Sequence, residues 1–378
     1  MLAGEASGDV LGARLITALR AERPELTFSG VGGPRMLAAG LPASLFPLAD
    51  LAVMGLAEIL PRIRALNRRL NETVADITAN RPDLVVTIDS PGFALRLLRR
   101  IQPLGLKRVH YVAPQVWAWR EHRVRRFPGL WDSLLCLLPF EPAFFARHAI
   151  PVRFVGHPVL QSGADSGDAA RFRARHGLAA DAPVLVLMPG SRRNEAPRLL
   201  PVFGQTLARL TRDIPNIAAV IPASPVVEAV VKRAAAGWAV QPIITTTLED
   251  KHDAYAAAGA ALTKSGTSTL ELALAGVPMA VTYRVNPITA ALARRLIRVP
   301  HVAMVNLLAG AEIVPELLQQ DCAPAKLAAT VLRLLRDQPA ADAQRAAFAN
   351  VIASLRAPDG LPDAAAAHAV LEVLDSRT

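Results

Sequence analysis

The sequence predicts an α/β protein made of two Rossmann-like halves, each a parallel sheet covered by helices. Three observations carry that expectation: short buried-strand runs, amphipathic helical patterns between them, and one Gly/Ser/Asp/Ala-rich stretch near the middle. The strand runs are Leu84–Ile88, Arg108–Val112, Val152–Val155, Val184–Met188 and Met279–Thr282. Each is short, rich in β-branched residues and bounded by Pro, Gly or Asp. Helical patterns such as Val10–Ala21 and Leu199–Asp213 alternate with them, which implies right-handed βαβ units. The stretch Gly156–Asp181 follows one strand run and precedes another, so the halves should divide there. Each half begins with a strand, a Gly/Ser turn and a helix, at Ala3-Gly4-Glu5-Ala6-Ser7-Gly8-Asp9 and at Pro189-Gly190-Ser191-Arg192-Arg193. A ligand is expected between the halves, at the carboxyl ends of the strands.

Composition narrows the class of protein. The 378 residues are 52% hydrophobic and 20% charged, enough for sizeable cores and unlike a disordered chain. Two cysteines far apart, Cys136 and Cys322, argue against a disulfide scaffold and for a reducing compartment. The eight histidines are scattered, and no Cys/His cluster has metal-ligand spacing. A formal charge of +10 points to an anionic partner, and residues 96–126 carry nine Lys/Arg against the single acid Glu121. No nucleic-acid-binding motif accompanies that charge, so nucleic acid is not expected as a partner. No apolar run reaches the ~18 residues of a membrane span. The opening residues do not read as a signal peptide, and the expected location is cytoplasmic, soluble or peripheral.

Three segments bear the marks of a site. Thr263-Lys264-Ser265-Gly266-Thr267-Ser268-Thr269-Leu270-Glu271 leads from an apolar stretch through small hydroxyl residues into a helix that Gly276 and Pro278 stop. Small residues let backbone N–H groups approach a phosphate, and the helix start adds partial positive charge. Lys264 adds a full charge, and Glu271, one turn in, suits the hydroxyls of a ribose. A plain helix start is the alternative reading. In the second segment, Met188–Glu195, a buried strand enters a Gly-Ser turn at Ser191 and Arg192. Arginine offers a fixed fork of donors for a diphosphate and keeps its charge. Arg193 and Glu195 read as surface charges. The third segment places Asp89 at the carboxyl end of Val85-Val86-Thr87-Ile88, where open α/β sheets locate their sites; Asp89 suits a general base or a turn.

Residues 51–70 form a basic amphipathic stripe. Leu56, Ile59, Leu60, Ile63, Leu66 and Leu70 recur at helical spacing, with Arg62, Arg64, Arg68 and Arg69 nearby. Such a helix can lie on an anionic membrane surface or bury its stripe in a core. Pro61 is expected to begin a second helical segment.

Read together, these segments resemble lipid-A-disaccharide synthase, an inverting glycosyltransferase family with the two-domain GT-B fold. The resemblance rests on Ala3–Asp9, Ala52-Val53-Met54-Gly55, Val112-Ala113-Pro114-Gln115-Val116-Trp117-Ala118-Trp119-Arg120 and Leu138-Pro139-Phe140-Glu141. It continues through Gly156-His157-Pro158, Pro189–Arg192, Ser265-Gly266-Thr267 and Asn306-Leu307-Leu308-Ala309, in family order over nearly the whole chain. It implies transfer of a sugar from UDP-2,3-diacylglucosamine to 2,3-diacylglucosamine 1-phosphate, forming a β-1,6 disaccharide 1-phosphate and UDP. It implies that Asp89 is the base and that Arg192 and Asn306 hold the UDP. By the looser GT-B likeness, Glu271 meets the ribose, while Gly4, Glu5 and Ser7 lie near the acceptor.

The resemblance also implies a domain plan: 1–158 facing acceptor and membrane, 159–340 binding the UDP-sugar, and 341–378 packing back on the first. Peripheral attachment to the cytoplasmic face of the inner membrane, through Leu56, Ile59, Leu60 and Ile63, and a homodimer are implied as well. No cofactor is expected. The chain holds no Asp-x-Asp, the usual metal-binding pair of such transferases, so Arg, Lys and a helix start are expected to neutralise the departing diphosphate.

Two departures from the family stand out. Only Met1 and Leu2 precede Ala3, where the family has a longer apolar strand, so the natural start is expected upstream. Gly92 stands where many relatives have an acid. Two other readings remain: a UDP-sugar 2-epimerase of the same fold, and an inactive nucleotide-sugar-binding module. A dinucleotide oxidoreductase fits poorly, because Gly30-Val31-Gly32-Gly33 lacks the further glycine that the phosphate-binding turn requires.

Overall fold

Side chains along a strand point alternately to its two faces, and in the first sheet both faces are apolar. The computed structural model describes residues 1–51, 56–119, 121–192, 195–286 and 299–376, without the side chains of 56–62. It divides into two units, Met1–Pro158 with Leu355–Thr378, and Val159–Ser354. The first unit holds β1 (Leu2–Ala3), β2 (Leu84–Ile88), β3 (Lys107–Tyr111), β4 (Ser133–Cys136) and β5 (Val152–Phe154), parallel and in that spatial order. Leu134 and Cys136 face a core shared with Phe93, Leu97 and Ile101 of the helix Pro91–Ile101. Their neighbours Leu135 and Leu137 face the opposite core, with Leu15 and Leu19 of the helix Ala6–Glu22. Ala365, Ala366, Ala367 and Ala369 of the helix Pro362–Asp375 are buried in that second core. Their small side chains explain the Ala-rich terminus: they let this helix lie close to the sheet.

The second unit holds β6 (Val184–Met188), β7 (Ala218–Pro222), β8 (Ile243–Thr245), β9 (Ala258–Lys264), β10 (Met279–Tyr283) and β11 (Glu316–Leu318). They are parallel, in the order β11-β10-β9-β6-β7-β8. Leu185, Leu187, Ile221 and Leu262 pack with Phe203 and Leu207 of the helix Ala196–Asp213 and with Val331 of the helix Pro324–Arg336. Burying each such side chain contributes roughly 1.5–3 kcal/mol.

Strand order fixes where a ligand can bind. In the second sheet the chain runs from β6 outward through β7 and β8, then returns to lay β9 on the other side of β6. In the first, Val31 bridges the open side of Leu2 before the chain returns to lay β2 against β1. The order therefore reverses between β6 and β9, and between β1 and β2. At such reversals the loops leaving adjacent strands diverge and open a crevice at the carboxyl ends.

The boundary lies at Pro158, within Gly156–Asp181, a stretch that also contains the helix Ala169–His176, capped by Asp168 through Arg171 N (3.0 Å). Two expectations change. The returning segment begins at Leu355 and not at 341, because Phe348 and Val351 of the helix Gln338–Ser354 are buried within the second unit. Gly156-His157-Pro158 marks the crossing: His157 N donates to Leu355 O at 3.0 Å. The helix Leu56–Asn80 runs unbroken, so Pro61 starts no second segment. A proline there removes one helical hydrogen bond without forcing a stop. Residues 52–55 of one family stretch lie outside the described residues.

Candidate functional site

At the first reversal, the loops after β1 and β2 lie in contact. A methyl group placed on Gly4 would stand 2.0 Å from Ser90 Cβ, so only glycine allows this approach. Asp89 and Ser90 both adopt left-handed backbone (φ 53° and 47°), a conformation that Asp tolerates better than most residues. Asp89 Oδ1 accepts the Ser90 N–H at 2.7 Å, and Asp89 N donates to Tyr111 O at 2.8 Å. The turn thus holds a half-buried carboxylate at the carboxyl end of β2, directly before the helix Pro91–Ile101. Val112, at the end of β3, is also left-handed (φ 77°) although β-branched. Backbone strain of this kind costs about 1–3 kcal/mol per residue and concentrates at functional sites. Gly92 is exposed, with nothing near the place of a Cβ.

The opening motif serves two ends. Glu5 is half-buried and accepts a hydrogen bond from Ser7 Oγ at 2.8 Å, beside the Asp89 turn. Asp9 is buried and capped onto another element: its oxygens accept Gly33 N (2.7 Å), Met36 N and Arg35 N (both 3.0 Å) at the start of the helix Pro34–Ala39. Asp9 therefore fixes the fold. The Trp-Ala-Trp segment and Leu138–Glu141 meet at a residue whose role the sequence did not reveal. Glu141 accepts Trp117 Nε1 (3.1 Å), Leu137 N (3.1 Å) and Leu138 N (3.0 Å), and Trp117 stands edge-on against Phe140. Burial pushes the Glu141 carboxyl up to about 7, although these donors favour its charged form.

At the second reversal, the loop after β6 and the last residue of β9 bring Arg192 and Lys264 to one carboxylate. Glu195 Oε1 lies 3.3 Å from Arg192 Nη1 and 3.0 Å from Lys264 Nζ. The Lys264 ammonium sits 5.1 Å from the Tyr283 ring centroid, at the end of β10. Glu195 is thus a mostly buried ion-pair partner of Arg192 and Lys264 and not a solvated surface charge. Ser191 is exposed in the same loop, and Gly266 and Thr267 lead into the helix Ser268–Leu274. Thr267 makes no side-chain cap there. Glu271 is paired with Lys251 (2.7 Å) and accepts the Tyr255 hydroxyl (3.2 Å). Burial and the Glu271 charge raise the Tyr255 phenol well above its usual range, so it remains a donor. Lys251 and Tyr255 carry no motif that the sequence could offer.

Two expected donor contacts turn out to be internal. Asn306 is fully buried: its amide donates to Val314 O and Glu316 Oε1 (both 2.9 Å), and its oxygen accepts Ile313 N and Val314 N (both 2.9 Å). An amide so engaged has no capacity left for a ligand. Glu316 also accepts Val302 N and Ala303 N, and Ser265 Oγ donates to Val302 O at 2.6 Å. Asn306 and Glu316 therefore hold the segment on which the Ser265 loop rests. In the basic stripe, Leu70 is buried and Leu66 packs on the core, while Ile63 is exposed beside exposed Arg64 and Arg68. The side chains of Leu56, Ile59 and Leu60 lie outside the described residues.

Two units, each a parallel sheet covered by helices, define the GT-B class. Solved structures agree on the fold: the calicheamicin glycosyltransferase has a TM-score of 0.60 at 19% identity, covering 99% of this chain and 97% of its own. The Neisseria meningitidis UDP-GlcNAc 2-epimerase bound to UDP-GlcNAc has a TM-score of 0.63 at 13% identity, covering 99% and 98%. Sequence then separates what fold leaves together. The family model for lipid-A-disaccharide synthetase matches residues 1–370. Lipid-A-disaccharide synthases from Granulibacter bethesdensis and Gluconobacter oxydans are 65% and 63% identical, each over 99% of this chain and over 98% and 90% of their own. The enzyme from Pseudomonas aeruginosa strain LESB58 is 43% identical over 100% of this chain and 98% of its own. The chain belongs to the lipid-A-disaccharide synthase family and is a glycosyltransferase. The epimerase reading falls, since that likeness is one of fold alone.

Proposed function

We propose that the chain transfers 2,3-diacylglucosamine from its UDP derivative to the 6-hydroxyl of 2,3-diacylglucosamine 1-phosphate, giving a β-1,6 disaccharide 1-phosphate and UDP. The observation that carries this reading is the 65% identity to a curated synthase over 99% of the chain. Asp89 takes the proton of the acceptor hydroxyl as its oxygen attacks the anomeric carbon from the face opposite the diphosphate. A positioned base of this kind contributes about 10²–10⁴ in rate. The bond from that carbon to the UDP oxygen breaks, and Arg192 and Lys264 neutralise the charge that the leaving diphosphate gains. Ser191, Ser265, Gly266 and Thr267 shape the loops around the phosphates, and Glu271, oriented by Lys251 and Tyr255, accepts the ribose hydroxyls. Asn306 acts one step removed, by positioning the Ser265 loop through Val302. Gly4, Glu5 and Ser7 border the acceptor.

Both substrates carry acyl chains, so we further place the enzyme on the cytoplasmic face of the inner membrane. Among the described residues no helix is long and apolar enough to cross a membrane. Exposed Ile63, Arg64 and Arg68 offer an apolar and cationic contact for an anionic leaflet.

The test measures UDP release from detergent-dispersed donor, with acceptor added or withheld, in excess EDTA. Release that needs acceptor, survives EDTA and is lost in Asp89→Asn is expected. Acceptor-independent release, or full activity in Asp89→Asn, would overturn the reading.

A further inference from the structure

We propose that Glu195 is a stand-in for phosphate: its carboxylate lies between Arg192 and Lys264, where a phosphate of the nucleotide diphosphate would sit. The proposal rests on the reading of that loop pair as the donor site. A single oxygen, Oε1, lies 3.3 Å from the guanidinium and 3.0 Å from the ammonium, as a bridging phosphate oxygen would. Arg192 comes from the loop after β6 and Lys264 from the last position of the adjacent β9, so without a shared anion their like charges would push the Arg192 loop away from the strand end. The site is built to receive the carboxylate. Gly190 has φ 107°, and a Cβ there would stand 2.8 Å from Glu195 Oε2. Glu195 N donates to Arg192 O at 3.1 Å, which closes the loop on itself. Burial completes the case: side-chain exposure is 12% for Glu195 and 16% for Lys264, but 48% for Arg192. A mostly buried ammonium needs an anion beside it, and Glu195 supplies one until the diphosphate arrives.

A diphosphate brings more charge and more acceptor oxygens than one carboxylate, so it displaces Glu195 from the cations. The displaced carboxylate stays on the same loop, as a negative charge near the bound phosphates. That repulsion weakens product binding and speeds the release of UDP. Glu195 is therefore a positioning residue with two effects: it holds Arg192 and Lys264 together and keeps the site from retaining its product.

The experiment measures UDP binding by titration calorimetry, alongside donor kcat and KM, for the whole chain and its variants. Glu195→Gln and Glu195→Ala are expected to bind UDP about tenfold more tightly and to lower kcat and donor KM together. Glu195→Asp, which keeps the charge, is expected to return towards the wild-type values. Unchanged or weaker UDP binding in folded Glu195→Gln and Glu195→Ala would overturn the proposal. Arg192→Ala and Lys264→Ala report on the underlying reading separately: if both bind UDP as the wild type does, the donor site itself is misplaced. A loss of folding in one Glu195 variant shows in its thermal melt, and the other variant then decides.

Discussion

The two strand-order reversals solve the same geometric problem with opposite chemistry. At the first, small residues crowd a turn: Gly4 against Ser90, with Asp89 held in left-handed backbone. At the second, charge is concentrated: Arg192 and Lys264 on Glu195, and Lys251 on Glu271. The first arrangement aims one carboxylate and suits the removal of a proton. The second gathers cations and suits a phosphate. Topology decides where a site can open, and the few side chains at the loop tips decide what it does there.

The comparison breaks most severely at the two charged centres. Asp89→Asn keeps the acceptor oxygen for Ser90 N and tolerates the left-handed backbone, so the turn should survive while turnover falls about a thousandfold. UDP affinity, measured by calorimetry, should not move. Arg192→Ala should do the reverse in character: donor KM should rise about a hundredfold, with a smaller fall in kcat. Equal losses of UDP binding in the two variants would erase the division of labour.

Packing should answer more gently. Gly4→Ala forces a methyl group into Ser90, and overpacking of this kind costs about 1–3 kcal/mol, seen as a lower thermal midpoint. Turnover should fall with it, because Ser90 adjoins Asp89.

The smallest expected effect is one of pH. The Glu141 carboxyl is pushed up to about 7, so it holds its proton more tightly folded than unfolded. Its contribution to stability is therefore full below the usual Glu range, near 4.5, and is lost as pH rises through about 7. Thermal midpoints of the wild type should fall between pH 5 and 8 by more than those of Glu141→Gln; parallel curves would show that Glu141 stays ionised throughout.

How much of this could be read beforehand depended on whether a signal is local. Leu84–Ile88 and Val184–Met188 were legible to the residue, because strands buried on both faces are continuous apolar runs. Strand β4 was not, since Ser-Leu-Leu-Cys has no β-branched residue, and β11 is three residues long. Asp89, Arg192 and Lys264 stand in motifs that announce themselves. Glu195 and Glu141 lie in quoted segments, but their burial and their distant partners Lys264 and Trp117 appear only in the folded chain, as does the pairing of Lys251 and Tyr255 with Glu271. Asn306 shows the converse: the motif was legible, but the burial that engages every atom of its amide was not.

The crossing at His157 and Leu355 also sets an order of events on the ribosome. The chain leaves the first unit at Pro158 and returns only at Leu355, and the helix Pro362–Asp375 then covers Leu15, Leu19 and Val86. During synthesis the second unit is therefore complete and free to fold while one face of the first sheet still lacks its covering helix. Until that helix emerges, part of an apolar face stays uncovered beside the helix Ala6–Glu22, which makes the earlier-made half the one that a nascent-chain chaperone would hold longest.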